Sequence, residues 1–322
     1  MYKNFFGLIR NPFEISPNPY FLFPTARHQE ALASVVHGAL RRKGFMVVTG
    51  EVGTGKTLLV RCLLEFLRRQ KIASANVFNP SLSRLEFLRF IAGDLGINPA
   101  GQDKGTLLRE LYKYLIALYQ KNTTAVVVVD EAQDLTLGLL EEIRLLTNLE
   151  TSQQKLLQIV LVGQPELDQK LDSPQLRQLK QRVALRCQLQ PLQEDEIGGY
   201  ILRRLHRAGA NSHAHMIFPD ETLAAVYRYS RGVPRLINTV CENALIIAYA
   251  ERELVVRPGV IEEVAKDLRL NVATPLPVVA LAATERQRAI ARSLLEVVEA
   301  LERLAKSTDA RETFPVQGVK VV

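Results

Sequence analysis

Short apolar runs alternate with longer stretches of helical period through the first 190 residues. The runs predict strands at 45–49, 73–78, 125–130, 156–163 and 184–190. The stretches between them predict helices at about 27–43, 56–70, 83–95, 106–120, 137–151 and 174–181. The run "AVVVVD" at 125–130 is nearly all β-branched, as expected for a strand buried on both faces of a parallel sheet. In 184–190, Leu185, Cys187 and Leu189 alternate with Arg186, Gln188 and Gln190, which predicts an edge or less buried strand. Strands and helices alternating in this way mean an α/β sandwich with a mainly parallel sheet. After Gln193 only helices are predicted, at about 194–208, 220–230, 233–251 and 258–268, punctuated by Pro219, Gly232-Val233-Pro234 and Pro258-Gly259. The chain therefore divides into an α/β unit, 1–192, and a small helical unit, 193–270. A Pro-containing linker follows at 271–283, then a helix at 284–306 and a loose tail at 307–322. Ile290, Leu294, Val297, Leu301 and Leu304 repeat at 4-3-4-3, but over too few heptads to define a coiled coil. An amphipathic helix packed on the body or on a partner is the simpler reading.

Composition narrows the class. With 322 residues, 47% hydrophobic and 23% charged, the chain is long enough for two packed units and is not disordered throughout. Cys62, Cys187 and Cys241 are far apart and form no CxxC pair, which argues against a disulfide framework or a thiolate metal site. Prolines and charges interrupt the first 23 residues, so they do not read as a signal peptide. No apolar run reaches the length of a membrane span, and the expected location is cytoplasmic. The net charge of +7 is uneven: residues 1–192 hold 24 Lys and Arg against 17 Asp and Glu, whereas 193–270 hold 10 against 11. Attraction to a polyanion is one reading of that excess; phosphate-binding and intersubunit arginines are the other.

The chemistry lies at the ends of the strands. Gly50-Glu51-Val52-Gly53-Thr54-Gly55-Lys56-Thr57 satisfies GxxxxGK[ST], with a strand before it and a helix beginning Lys56-Thr57-Leu58 after it. Backbone N–H groups of such a loop converge on the β-phosphate, the lysine reaches the β- and γ-phosphates, and the Thr57 hydroxyl ligates Mg²⁺. ATP and Mg²⁺ are the implied ligands. In "VVVVDEAQDL", Asp130 ends a buried strand, where a carboxylate needs a cation or donors. It can hold Mg²⁺ through water, and Glu131 can polarise a water for attack on the γ-phosphate. A plain helix-capping acidic pair is the alternative. Together the two motifs point to hydrolysis rather than transfer to a second substrate.

Three more positions could complete the site. Gln164 follows the strand "LQIVLVG" and reaches the γ-phosphate if that strand lies between the two motif strands; otherwise it is a polar turn residue in "GQPEL". Arg182, between a helix and a strand, can project into a neighbouring subunit's phosphate site, or it is a solvated basic helix end, and Arg186 competes for the same role. Arg235 in "RGVPRLINTV" begins a helix, where a cation opposes the helix dipole, so an anionic partner such as bound phosphate is expected.

These motifs, with "IVLVGQPEL", "LKQRVALRCQLQPL" and "GVPRLIN", resemble the AAA+ ATPases. More narrowly they are similar to the family of general secretion pathway protein A, related to the transposition ATPase TniB. The opening "FFGL..NPF...PNPYFLFPT..HQEAL" and "EEIRLLTNLET" also look like that family, so the resemblance covers about 1–270. It implies a P-loop core with a helical lid and an ATPase working as a homo-oligomer. It also implies a sensor at Gln164, an arginine finger acting in trans at Arg182, a second sensor at Arg235, and an N-terminal segment near the adenine. Secretion-type members continue into a transmembrane helix and a peptidoglycan-binding region; here the linker, helix and tail stand in their place, so membrane association is expected only through partners. Three functions are carried forward: an ATPase remodelling a protein client in secretion, pilus or envelope-polysaccharide machinery, a DNA-associated ATPase of the transposition-helper type, and a slow nucleotide-gated scaffold.

Overall fold

The computed structural model describes residues 2–210 and 214–270. The linker, helix and tail expected over 271–322 lie outside the described residues. The order of elements is α1 (Tyr2–Phe5), α2 (Ala26–Leu40), β1 (Phe45–Gly50), α3 (Lys56–Arg69), β2 (Ala73–Val77), α4 (Arg84–Asp94), α5 (Lys104–Gln120), β3 (Ala125–Val129), α6 (Leu137–Leu146), β4 (Leu157–Gly163), α7 (Glu166–Leu171), α8 (Arg177–Lys180) and β5 (Val183–Leu189). The helical unit follows as α9 (Glu194–Arg207), α10 (Ala214–Ile217), α11 (Asp220–Ser230), α12 (Pro234–Ala250) and α13 (Pro258–Asp267).

Five strands form one sheet in the order β2-β3-β4-β1-β5, and every neighbouring pair is parallel. The apolar runs at β1, β3 and β4 are buried along their whole length because helices cover both faces. Within those runs the side chains still alternate. Val47, Val127, Ile159 and Leu161 pack with α4, α5 and α6. Met46, Val48, Val126, Val128, Val160 and Val162 pack with α2 and α3. Strand β5 is the sheet's edge and keeps the alternating exposure its sequence predicts.

The departures from expectation are local. The helix predicted over 137–151 stops at Leu146, because side chains take up its last carbonyls: Thr147 Oγ1 donates to the Arg144 carbonyl (2.7 Å) and Lys155 Nζ to that of Thr147 (3.0 Å). The "GQPEL" turn opens a short helix, α7, since Pro165 is tolerated at the helix start. The helix predicted at 174–181 is a 3₁₀ turn, Pro174–Leu176, followed by the single turn of α8.

The helical unit has its own core, and the chain's opening residues belong to it in space. Phe6, Leu8, Phe13 and Phe21 pack with Ile197, Ile201, Val226, Ile237 and Ile261. Tyr2 Oη and Asn11 Nδ2 both donate to Glu242 of α12. Buried Arg204 donates to the carbonyl of Pro12 (2.6 Å) and lies over the Phe21 ring at 4.8 Å. Residues 2–23, written with the α/β unit when the chain is divided in sequence order, are packed as a strap on the helical one.

The two units meet where Gly232 lies against Leu192. The Leu192 N–H donates to the Gly232 carbonyl (2.8 Å), and Gly232 adopts φ +73° with its Cα so close that a Cβ would come within 1.9 Å of the Leu192 oxygen. Gly232→Ala is therefore expected to cost about 2–3 kcal/mol through backbone strain and clash. In thermal unfolding this should lower the midpoint by roughly 5–10 °C. An unchanged midpoint would show that the junction yields freely.

Candidate active site

Parallel pairing sets the ends of β1, β3 and β4 along one edge of the sheet. Thr49 pairs with Gly163 and Val129 with Leu161, so Gly50 at the end of β1 and Asp130 and Gln164 just after β3 and β4 lie along that edge. This is the strand arrangement that the expectation for Gln164 required, with β4 between β1 and β3.

The loop from Gly50 to Gly55 turns on two left-handed residues, Gly53 (φ +82°) and Gly55 (φ +102°), conformations that L side chains adopt rarely. Thr54 braces it from inside, its hydroxyl donating to the Glu51 carbonyl (2.8 Å). His28 of α2 braces it from behind: Nε2 lies 2.9 Å from the Thr54 carbonyl and Nδ1 2.7 Å from Thr25 Oγ1. A carbonyl only accepts, so Nε2 carries the proton and Nδ1 accepts from the threonine hydroxyl. Burial holds this imidazole below the usual histidine range, which keeps it neutral in that role. Glu51 and Val52 of the loop are exposed, and Val52 lines the cleft together with Leu58 in the first turn of α3.

Lys56 is buried at the start of α3 and folds back on the loop, its Nζ donating to the carbonyls of Gly50 (2.7 Å) and Glu51 (3.0 Å). Burial lowers its pKa, while Glu131, Asp130 and Glu51 act to raise it. Asp130 is buried too, and its carboxylate accepts from the Glu131 N–H (3.0 Å). Burial pushes its pKa up, and the adjacent Glu131 charge adds to this; the Glu131 N–H, the Thr57 hydroxyl hydrogen-bonded to it and the Lys56 ammonium oppose it. A buried, costly carboxylate paired with a hydroxyl is an oxygen donor set that suits Mg²⁺. Thr57 and Asp130 thus fit the metal expected from sequence.

The helical unit closes the other side. The Arg235 N–H donates to the Gly53 carbonyl (3.2 Å), and a Cβ on Gly53 would lie 2.8 Å from that of Arg235. Between the units opens a cleft of about 400 Å³ lined by Lys56, Thr57, Glu131, Gln164 and Arg235. Tyr200, Arg204 and Asn238 also line it, with Ile15 and Pro17 from the N-terminal strap. Tyr200, Arg204 and Asn238 were missed in sequence, and so was His28; single residues on amphipathic helices carry no local signal of a cleft.

Arg182 stands elsewhere. It precedes Val183, which pairs with Phe45 at the start of β1, whereas the phosphate loop follows Gly50 at its end. Five residues of strand separate these ends by about 16 Å. Its Nη1 donates to Thr147 Oγ1 (2.5 Å), Asn148 Oδ1 (2.6 Å) and the Arg144 carbonyl (3.2 Å), all neutral acceptors. Arg186 instead pairs with Asp168 at 2.6 Å, and Asp168 also accepts from Thr49 Oγ1 (2.7 Å).

Comparison with known proteins agrees with this architecture. Residues 39–171 match the model of an AAA domain family. The chain is 46% identical over 252 residues to general secretion pathway protein A of Aeromonas hydrophila, covering 78% of this chain and 45% of that protein.

The chain belongs to the AAA+ ATPases, in the family of general secretion pathway protein A.

This AAA+ chain spans less than half of that relative's length. It is also 39% identical over 101 residues to the ATP-dependent target DNA activator B of Escherichia phage Mu, covering 31% of this chain and 30% of that protein. Among solved structures, Drosophila ORC bound to DNA superposes with a TM-score of 0.60 at 19% identity, over 81% of this chain and 65% of that one. Cdc6p from Pyrobaculum aerophilum gives 0.59 at 19%, over 81% and 72%. At such identity these two establish the fold alone.

The elevated pKa of Asp130 has a consequence for stability. A carboxyl raised in the native state binds its proton more tightly than in the unfolded chain, so its contribution is lost as pH rises through its folded pKa. Without nucleotide or Mg²⁺, Asp130→Asn should therefore raise the thermal midpoint at pH 8. That gain should shrink as the pH falls and Asp130 itself takes up a proton. A midpoint difference that stays constant with pH, or a less stable variant at pH 8, would contradict the assignment.

Proposed function

We propose that the protein binds and hydrolyses Mg-ATP in an oligomer, and that nucleotide state drives assembly or remodelling of a protein client in secretion, pilus or envelope-polysaccharide machinery. The observation that carries this reading is the convergence of Lys56, Thr57, Glu131, Gln164 and Arg235 on one cleft between two units, with Asp130 buried against Thr57 and Lys56. Loop N–H groups and Lys56 bind the β- and γ-phosphates, and Lys56 exchanges its loop carbonyls for them. Thr57 and Asp130 would hold Mg²⁺, which would supply positive charge against that of the phosphates. Glu131 takes a proton from the attacking water, and Gln164 and Arg235 contact the γ-phosphate from β4 and from the lid. Ile15 and Pro17 of the strap offer apolar surface to the base.

Arg182 acts in trans in this reading. Its own phosphate loop lies at the other end of the strands, and its hydrogen bonds go to neutral acceptors with Glu141 the carboxylate nearby, whereas Arg186 is paired with Asp168. Cytoplasmic residence is part of the same reading, supported by three free cysteines; among the described residues no helix is long and apolar enough to cross a membrane.

A second reading, contact with DNA, has its own observation. Exposed Arg41, Lys43, Lys71 and Lys121 precede β1, β2 and β3 at the edge of the sheet away from the cleft. After burial, the charges of Arg41 and Lys43 are what lower the pKa of His37 beside them. The matching phage protein is named a target DNA activator. If this edge binds DNA, anisotropy titrations should give log K linear in log salt. Lys71→Glu with Lys121→Glu should weaken duplex binding and flatten that slope, and absence of binding at low salt removes this reading.

For the ATPase reading, Lys56→Ala should lose ATP binding in calorimetry, while Glu131→Gln should bind but release phosphate very slowly. Arg182→Ala should bind nearly normally and lose turnover by about 10³-fold. Mixing Arg182→Ala with Lys56→Ala should restore part of the activity, because some interfaces then pair an intact loop with an intact arginine. No rescue despite demonstrated subunit exchange would rule out action in trans.

A further inference from the structure

Gln133 attracts no attention in sequence, yet its carboxamide joins two sides of the cleft. Its Nε2 donates to Glu131 Oε2 (3.0 Å) and Asp134 Oδ2 (3.0 Å). Its Oε1 accepts from the backbone N–H of Gln164 (3.0 Å). The partners settle which way the amide faces, since ionised carboxylates only accept and a backbone N–H only donates. β4 makes room for it at Gly163, where a Cβ would lie 2.9 Å from Gln133 Oε1.

Closing the local turn does not require this side chain. The 3₁₀ turn Ala132–Asp134 is closed by its own backbone bonds, Asp134 N–H to the Glu131 carbonyl (3.1 Å) and Leu135 N–H to the Ala132 carbonyl (3.2 Å). Lys170 of α7 further anchors it by donating to the carbonyls of Gln133 and Leu135. Glu131, by contrast, sits at φ +50°, ψ 40°, a left-handed conformation unfavourable for a glutamate. Such a conformation persists where the surroundings over-determine it, and those surroundings include the Gln133 amide.

We propose that Gln133 is a positioning residue for ATP hydrolysis. It holds the Glu131 carboxylate at one place on the sheet edge and ties it to the backbone of Gln164, so base and γ-phosphate contact are set as one unit. The proposal rests on the reading of Glu131 as the base. A glutamate carboxylate turns about three side-chain bonds, and a displacement of about 1 Å at a reacting group can cost about 100-fold in rate. A neutral amide donor fixes the carboxylate without adding a charge that would compete with Mg²⁺ for Asp130.

Two variants separate shape from hydrogen bonding. Gln133→Met keeps the length and loses every polar contact; Gln133→Glu keeps an acceptor for the Gln164 N–H but loses the donor to Glu131. Both are expected to lower kcat by about 10- to 100-fold while KM and the Kd for ATP stay within about twofold of wild type. Action through Glu131 makes a further demand: Glu131→Gln with Gln133→Met should be no slower than Glu131→Gln alone. The proposal is overturned by a kcat that is unchanged or raised in Gln133→Met, by a loss appearing mainly in KM, or by a further rate loss in the double variant. Glu131→Gln alone tells the two failures apart. If it turns over at the wild-type rate, the base assignment falls and the proposal with it. If it is inactive while Gln133→Met is unimpaired, only the positioning role falls.

Discussion

The parallel pairing of β1, β3 and β4 is the constraint from which the site follows. Parallel strands end on the same side, so each strand delivers the residues after its last hydrogen bond to one edge. From β1 comes the phosphate loop, from β3 Asp130 and Glu131, and from β4 Gln164. Burial on both faces makes the register stiff, because a slip of one residue would send every side chain to the opposite face. Val127 and Ile159 would then leave the α4–α6 layer, and Val128 and Val160 the α2–α3 layer.

That edge concentrates charge in a poorly solvated place. Lys56 and Asp130 are both buried, and burial moves the pKa of each toward its neutral form. Neighbours of opposite sign, the loop carbonyls and the Glu131 N–H offset part of the cost, and nucleotide phosphates with Mg²⁺ are the groups whose charges match the remainder. A site assembled this way gives up some stability in the free protein in exchange for affinity when its ligands arrive.

The helical unit is coupled to that edge through backbone hydrogen bonds and close packing. Arg235 N–H reaches the Gly53 carbonyl, and Gly232 lies against Leu192, so the lid touches the loop that cradles phosphate and the segment that leaves β5. The N-terminal strap is held on the helical unit by Arg204 and Glu242. A change in the cleft therefore bears on both units at once.

The five strands and the GxxxxGKT loop were legible because each is a local pattern: apolar runs bounded by turn residues, or glycines at the two positions where the chain must turn left-handed. The edge character of 184–190 was legible for the same reason. Helix ends were less so, since α6 stops at Leu146 through bonds from Thr147 and Lys155 rather than at a Gly or Pro. The association of residues 2–23 with the helical unit depends on Phe6, Phe13 and Phe21 meeting helices about 190 residues onward, and no window of sequence contains that contact. That Arg186 pairs with Asp168 was likewise decided in space, because Asp168 sits on a helix the sequence hid in a turn. Sequence determined what each strand end carries, since that is local chemistry. Only the tertiary structure decided that Gln133 bridges Glu131 to Gln164, because that bridge exists only once β3 and β4 lie side by side.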